Sequence, residues 1–204
     1  MGYILKPFLL LAACYLLGSI PSSYIMGRLL KGIDLREHGS GNLGAANTFR
    51  VLGARAAVPV LLFDVGKGFL AVRLLSMAGI NSVELTIVAA RVAILGHNYS
   101  IFVGFSGGKG VGTTSGAFLA MSPLAVGICF LVWLAMLLSF RIVSLASMAA
   151  AASLPLTIII INRYAGGDTH TYVIILSIVV ALLVIYKHRP NIHRLLEGTE
   201  TKIF

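Results

Sequence analysis

Long apolar runs separated by short polar segments set the plan of this 204-residue chain. The apolar runs cover residues 3–26, 58–77, 83–95, 117–140, 142–161 and 172–186, and the main polar segments are 28–55, 96–116 and 187–204. A helix that crosses a membrane needs roughly 20 mostly apolar residues, fewer where it is short or re-entrant. The pattern therefore predicts an all-α polytopic integral membrane protein. The run at 117–140 decides the topology. Unbroken, it gives six spans, and the tail lies on the opposite face from 28–55. If Pro123 breaks it into two short elements, there are seven, and the three polar segments share one face.

Charge selects seven. The shared face then receives Arg28, Lys31, Arg36, Arg50, Arg55, Lys109, Arg141, Lys187, Arg189, Arg194 and Lys202, while the other keeps only Lys6 and Arg163. Basic residues collect on the cytoplasmic side of a membrane, so the shared face is expected to be cytoplasmic, with the N-terminus outside and the C-terminus inside. Composition supports the class. The chain is 58% hydrophobic and 11% charged, against about 25% charged for a soluble domain. No sizeable soluble domain is expected, and residues 1–204 read as one transmembrane domain. The net charge of +9 is what cytoplasmic membrane loops accumulate and does not call for nucleic acid. Cys14 and Cys129 lie inside apolar runs and read as packing residues. The first run has no convincing cleavage site and reads as a retained span, not a signal peptide.

The segment GHNYSIFVGFSGGKGVGTTSG (96–116) carries the strongest chemical signal. Gly107, Gly108 and Gly110 leave backbone N–H groups unshielded, Lys109 adds a fixed positive charge, and Thr113 and Thr114 offer hydroxyl donors. The apolar run that follows points its positive helix end at the same place. Phosphate is the expected guest. The spacing is not that of a nucleotide P-loop, because Lys109 is followed by Gly110 and not by Ser or Thr. The plainer alternative is a glycine-rich segment that allows close helix packing, with Lys109 reaching a headgroup.

Two further constellations fall on the same predicted face. GSGNLGAANTFR (39–50) places Ser40, Asn42 and Asn47 in a flexible backbone and adds the planar fork of Arg50, which suits phosphate oxygens. The alternative is a turn and a helix capped by Asn42. In the tail, HRPNIHRLLEGTE (188–200), a topology signal accounts for the arginines but not for His188 and Asn191, which can donate to a phosphate or hydroxyl. Asp64 and Lys67 are three apart on one helix face and can pair, either to fix helix packing or to act behind the site. Arg73 and Arg91 also fall within apolar runs, Arg73 near a span end where it can snorkel.

These motifs, with GSIPSSY (18–24) and DVGKG (64–68), resemble the bacterial acyl-phosphate:glycerol-3-phosphate acyltransferases, the PlsY family, over nearly the whole chain. Ser106 stands where family members often carry lysine, which leaves one positive charge fewer, and Gly112 where alanine is common. The resemblance implies a seven-helix enzyme of the bacterial inner membrane with its site open to the cytoplasm and no cofactor or metal. It would move an acyl chain from a long-chain acyl phosphate to the 1-hydroxyl of glycerol 3-phosphate, giving lysophosphatidic acid and phosphate, the first step of phospholipid synthesis. It also implies the lipid bilayer as surroundings and transient contact with the soluble enzyme that makes acyl phosphate. By similarity the glycine loop and Lys109 hold the acyl phosphate, Ser40, Arg50, His188 and Asn191 bind glycerol 3-phosphate, and Asn42, Asn47 and His97 shape the pocket.

The residues are compatible with that chemistry. An acyl phosphate has a good leaving group, so no acyl-enzyme is needed. None of the five histidines has Asp five positions on, and no GxSxG elbow occurs. Positioning and charge neutralisation are expected to carry the rate, with the hydroxyl proton passing to a substrate phosphate. Two other classes compete. A transporter for a phosphorylated anion shares broken helices with glycine-rich ends, but no internal repeat is seen. A phosphatidyl transferase wants an aspartate cluster for metal, and the seven acidic residues are scattered.

Overall fold

The computed structural model describes residues 2–164 and 171–203. Of the segments predicted above, the end of the tail, Phe204, lies outside them. Every regular element among the described residues is helical. The chain divides into two compact units, Met1–Ala120 and Met121–Phe204.

In the first unit the helices are α1 (Gly2–Ser19), α2 (Ser22–Lys31), α3 (Ala45–Leu52), α4 (Ala54–Met77), α5 (Val83–Asn98) and α6 (Val111–Met121), with a 3-10 turn at Ile101–Val103. The core lies where α1, α4 and α5 meet. Cys14, Ala71, Leu75, Ala89 and Ala93 are fully buried there, and the Cys14 thiol donates to Ala71 O at 3.3 Å. Small residues let these helices approach backbone to backbone, as membrane helices do when no water-driven collapse is available. A Cβ at Gly18 would strike the Ala93 backbone, and one at Gly96 would strike Tyr15 O. The α4–α6 crossing uses the same device, since a Cβ at Gly68 would meet Thr113 O and one at Gly116 would meet Val65 O.

The chain breaks between α1 and α2 at Ile20-Pro21. Proline has no N–H to continue the ladder, so nearby carbonyls lose helical partners. Two distant side chains reach them: Lys67 Nζ donates to Ile20 O at 2.9 Å, beside the local Ser22 N–H at 3.1 Å, and the Ser100 hydroxyl donates to Ser19 O. Leu35 and Leu43 of the loop that follows α2 form a small core with Val103 of the 3-10 turn, against Tyr24, Ile33, Val51 and Leu52.

The second unit contains α7 (Pro123–Phe140), α8 (Val143–Tyr164), α9 (Thr171–Lys187) and α10 (Arg189–Leu196). α8 packs along both α7 and α9. Arg141 takes a left-handed conformation (φ 62°) to end α7. The chain bends by 56° between α9 and α10, and the tail returns so that Ile203 N donates to Arg141 O at 2.8 Å.

The predicted break at Pro123 is present: α6 stops at Met121, and Pro123 opens the next helix, the position where its missing N–H costs nothing. Among the described residues, four helices are long and apolar enough to cross a membrane, the first running through the Pro21 break as Leu5–Lys31, or five if the bent pair α9–α10 is one span. α4 has the length, at 24 residues, but carries Arg55, Asp64, Lys67 and Arg73, and α6 is apolar but short. Of the charges within apolar runs, Asp64 and Lys67 are buried, whereas Arg73 and Arg91 are exposed.

Candidate active site

The loop between α2 and α3 is built around two buried polar groups. The first is Asp34, 5% exposed. Its carboxylate accepts from Arg36 Nη2 at 2.6 Å and from the Arg36 backbone N–H at 3.0 Å, and Arg28 lies 3.6 Å away. Both guanidinium groups also sit over the Tyr24 ring, at 5.1 and 5.4 Å from its centroid. The Arg36 hydrogen bonds hold the Asp34 carboxyl below the usual carboxylate range. Arg36 Nη1 continues to Val103 O at 2.9 Å and so ties this loop to the glycine-rich segment.

The second group is Asn47, fully buried. Its Oδ1 accepts from Ser40 N at 2.7 Å, and its Nδ2 donates to Leu35 O and His38 O, both at 3.0 Å. Asn47 is thus an internal strut, and Ser40 is presented on the exposed surface of the loop it supports. Asn42 does not cap α3. The cap is Gly44, whose N–H donates to Asn42 O at 3.1 Å; a residue two positions before a cap is poorly placed to reach the free N–H groups of the first turn. Arg50 lies in the last turn of α3, half-buried.

The glycine-rich segment crosses the end of α5 and enters α6. Gly104, Phe105 and Gly110 adopt positive φ (67°, 58° and 83°). Gly108 N donates to His97 O at 3.0 Å. A Cβ at Gly107 would strike His97 O, and one at Gly108 would strike the His97 ring at Nε2 and lie 2.7 Å from Leu43 O. Glycine is required at both positions by close approach, and the contact with Leu43 O brings the Asn42–Leu43 stretch of the first loop against the glycine loop. Lys109 is half-buried between Gly108 and Gly110. Thr113 and Thr114 lie in the first turn of α6 with their hydroxyls buried.

Behind the glycine loop, Asp64 Oδ1 accepts from Lys67 Nζ at 2.8 Å and from the Ser22 hydroxyl at 2.8 Å, and His97 Nδ1 stands 3.6 Å away. A cavity of about 10 Å³, room for about one water molecule, is lined by Ser22, Lys67, His97, Gly107 and Gly108 among others.

His188 and Asn191 belong to the second unit, at the bend that opens α10. His188 is 3% exposed, and its Nδ1 lies 2.7 Å from Val184 O. Asn191 Nδ2 donates to Glu200 Oε1 at 2.6 Å, the same oxygen that accepts from the Ser144 hydroxyl at 2.7 Å, while Arg194 Nε donates to Oε2 at 2.6 Å. Burial pushes the Glu200 carboxyl up, but the hydrogen bonds from Asn191, Ser144 and Arg194 outweigh it and hold the group below its ordinary value. Glu200, Asp34 and Ser22 were not singled out from the sequence. A lone acidic residue beside basic neighbours was the available signal for the first two; nothing local marked Ser22.

The model of the family described as glycerol-3-phosphate acyltransferase matches residues 8–198. This chain belongs to the glycerol-3-phosphate acyltransferase family. Among its relatives, glycerol-3-phosphate acyltransferase 2 of Moorella thermoacetica is 50% identical over 96% of each chain, and the Parasynechococcus marenigrum glycerol-3-phosphate acyltransferase is 46% identical over 98% of this chain and 91% of its own. The fold matches two crystal structures of PlsY, an integral membrane glycerol 3-phosphate acyltransferase. The glycerol 3-phosphate form has a TM-score of 0.87 at 40% identity, and the lysophosphatidic acid form 0.85 at 39%; each match covers 97% of this chain and 95% of the other. Within the glycerol-3-phosphate acyltransferase family, then, the glycine loop of this member rests on His97 and abuts the first loop at Leu43.

Proposed function

We propose that this family member transfers an acyl group from a long-chain acyl phosphate to the sn-1 hydroxyl of glycerol 3-phosphate, giving lysophosphatidic acid and inorganic phosphate. The observation that carries the reading is the contact of two anion-suited segments, Gly108 against Leu43, within one unit. Related structures are described as glycerol 3-phosphate and lysophosphatidic acid forms, which matches a substrate and a product of the reaction. The hydroxyl oxygen attacks the acyl carbonyl carbon, the carbon–oxygen bond to phosphate breaks, and the hydroxyl proton passes to a substrate phosphate. Nothing in the step requires an acyl-enzyme.

In this reading the amides of Gly107, Gly108 and Gly110, Lys109, and the α6 N-terminus with Thr113 and Thr114 neutralise the acyl phosphate and the charge that builds on its leaving oxygen. Ser40 and Arg50 from the first unit, and His188 and Asn191 from the second, are assigned to glycerol 3-phosphate on the family resemblance. Asn42, Asn47 and His97 shape the pocket. The family match across residues 8–198 supports treating both units as one acyltransferase domain. Seven membrane-crossing elements, with the site at the cytoplasmic face of a bacterial inner membrane, follow from the distribution of basic residues; a soluble enzyme that makes acyl phosphate is then placed to deliver it.

The test is phosphate release by detergent-purified protein given palmitoyl phosphate, with and without glycerol 3-phosphate, beside Lys109→Ala. The expected result is release that needs both substrates, forms lysophosphatidic acid without added metal, and falls at least about a hundredfold in the variant. Glycerol 3-phosphate crossing a liposome without turnover would instead indicate a transporter.

A further inference from the structure

Two charges buried at 3% and 2% exposure within the 24-residue helix α4, Asp64 and Lys67, need an explanation beyond mutual pairing. A pair that merely joined two helices would be complete with its own contact. This one spreads in two directions. Toward the chain break, Lys67 donates to Ile20 O and Ser22 donates to Asp64. Toward the glycine loop, the same Asp64 oxygen faces His97 Nδ1. His97 in turn meets the loop twice, through its carbonyl, which accepts from Gly108 N, and through its ring, against which Gly108 lies. The cavity between Lys67, Ser22, His97 and Gly107–Gly108 leaves about 10 Å³. The loop therefore has little room to sink toward the cluster.

We propose that Asp64, Lys67 and Ser22 are positioning residues for the reaction: through His97 they set the ring on which Gly108 rests and the carbonyl against which Gly107 lies, and so the direction of the amides that receive phosphate. The carboxylate attracts the imidazole, the ammonium and the serine hydroxyl hold the carboxylate, and the α1–α2 break supplies the fixed point for the ammonium. None of the three touches substrate in this arrangement. The inference rests on reading the glycine loop as the phosphate cradle. Its consequence is that loop order depends on a charge cluster one layer deeper.

The test uses the purified full-length protein with Asp64→Asn, the double variant Asp64→Asn/Lys67→Met, and Ser22→Ala, which removes a donor without changing charge. Hydrogen exchange of the peptide spanning residues 104–110 is followed without substrate, together with the thermal unfolding midpoint and the KM and kcat for palmitoyl phosphate. Asp64→Asn and the double variant are expected to speed loop exchange about tenfold, raise KM for palmitoyl phosphate about tenfold and lower kcat as well, because the same amides hold the acyl phosphate and neutralise the charge that builds on its leaving oxygen. Ser22→Ala shifts both readouts in the same direction by less. The double variant, which buries no unpaired charge, recovers the unfolding midpoint but neither loop readout. If it recovers loop exchange and KM as well, or if Ser22→Ala and the double variant both leave loop exchange at the wild-type rate, the pair is helix glue and the proposal falls. A wild-type protein that does not turn over palmitoyl phosphate would overturn the functional reading alone, since loop exchange is measured without substrate.

Discussion

The three hydrogen bonds of Asn47 occupy its carboxamide with backbone groups of the loop that ends at Ser40. Truncation to alanine leaves the Ser40 N–H and two carbonyls without those partners, at about 1–3 kcal/mol for each one that stays buried. Asn47→Ala should therefore lower the unfolding midpoint and raise KM for glycerol 3-phosphate at least about tenfold, measured in the phosphate-release assay. Asn47→Asp keeps the acceptor to Ser40 and loses both donors, so it should not rescue. Gly108→Ala is expected to abolish activity for a steric reason, because the added methyl meets His97 and Leu43 O together; a Gly108→Ala enzyme with wild-type kinetics would show that the loop is not seated on His97. At this scale the sequence was informative where spacing is short. The i, i+3 pairing of Asp64 with Lys67 was legible, and it is observed at 2.8 Å. The strut role of Asn47 was not, because an asparagine beside glycines looks the same whether it caps a helix, binds a ligand or braces a loop.

At the scale of elements, the tail helix α10 is held by a single buried carboxylate. Glu200 gathers Ser144, Asn191 and Arg194, so α8, α10 and the last residues share one anchor. A carboxyl whose folded pKa is lowered contributes stability above its unfolded value, near 4.3–4.5, and loses that contribution as pH falls through the folded pKa. Acidification below about pH 4 should thus speed hydrogen exchange across Arg189–Leu196 in wild type. Glu200→Gln should show fast exchange already at pH 7, with little further change on acidification; if its exchange stays slow at pH 7, the carboxylate is not the anchor. Element boundaries read well from the apolar runs, and the break at Pro123 is where proline chemistry puts it. The anchors between elements did not, since Ser144 and Glu200 are 56 positions apart and no local period connects them.

For the whole molecule, the five motifs and the order in which they occur were enough to point to the family, which the matches over 96% and more of the chain now show. What the apolar pattern did not supply is the reason for its own interruptions. Pro21 cuts an otherwise apolar span, and the carbonyls it releases are taken by side chains that arrive much later in the chain, Lys67 at 47 positions on and Ser100 at 81. That separation has a consequence for biogenesis. Ribosomes add about 5–20 residues per second, so the first segment must wait roughly 4–16 s before both side-chain partners exist. During that interval it is expected to linger at the insertion machinery or its lipid margin, and to settle only when the third long helix has been delivered.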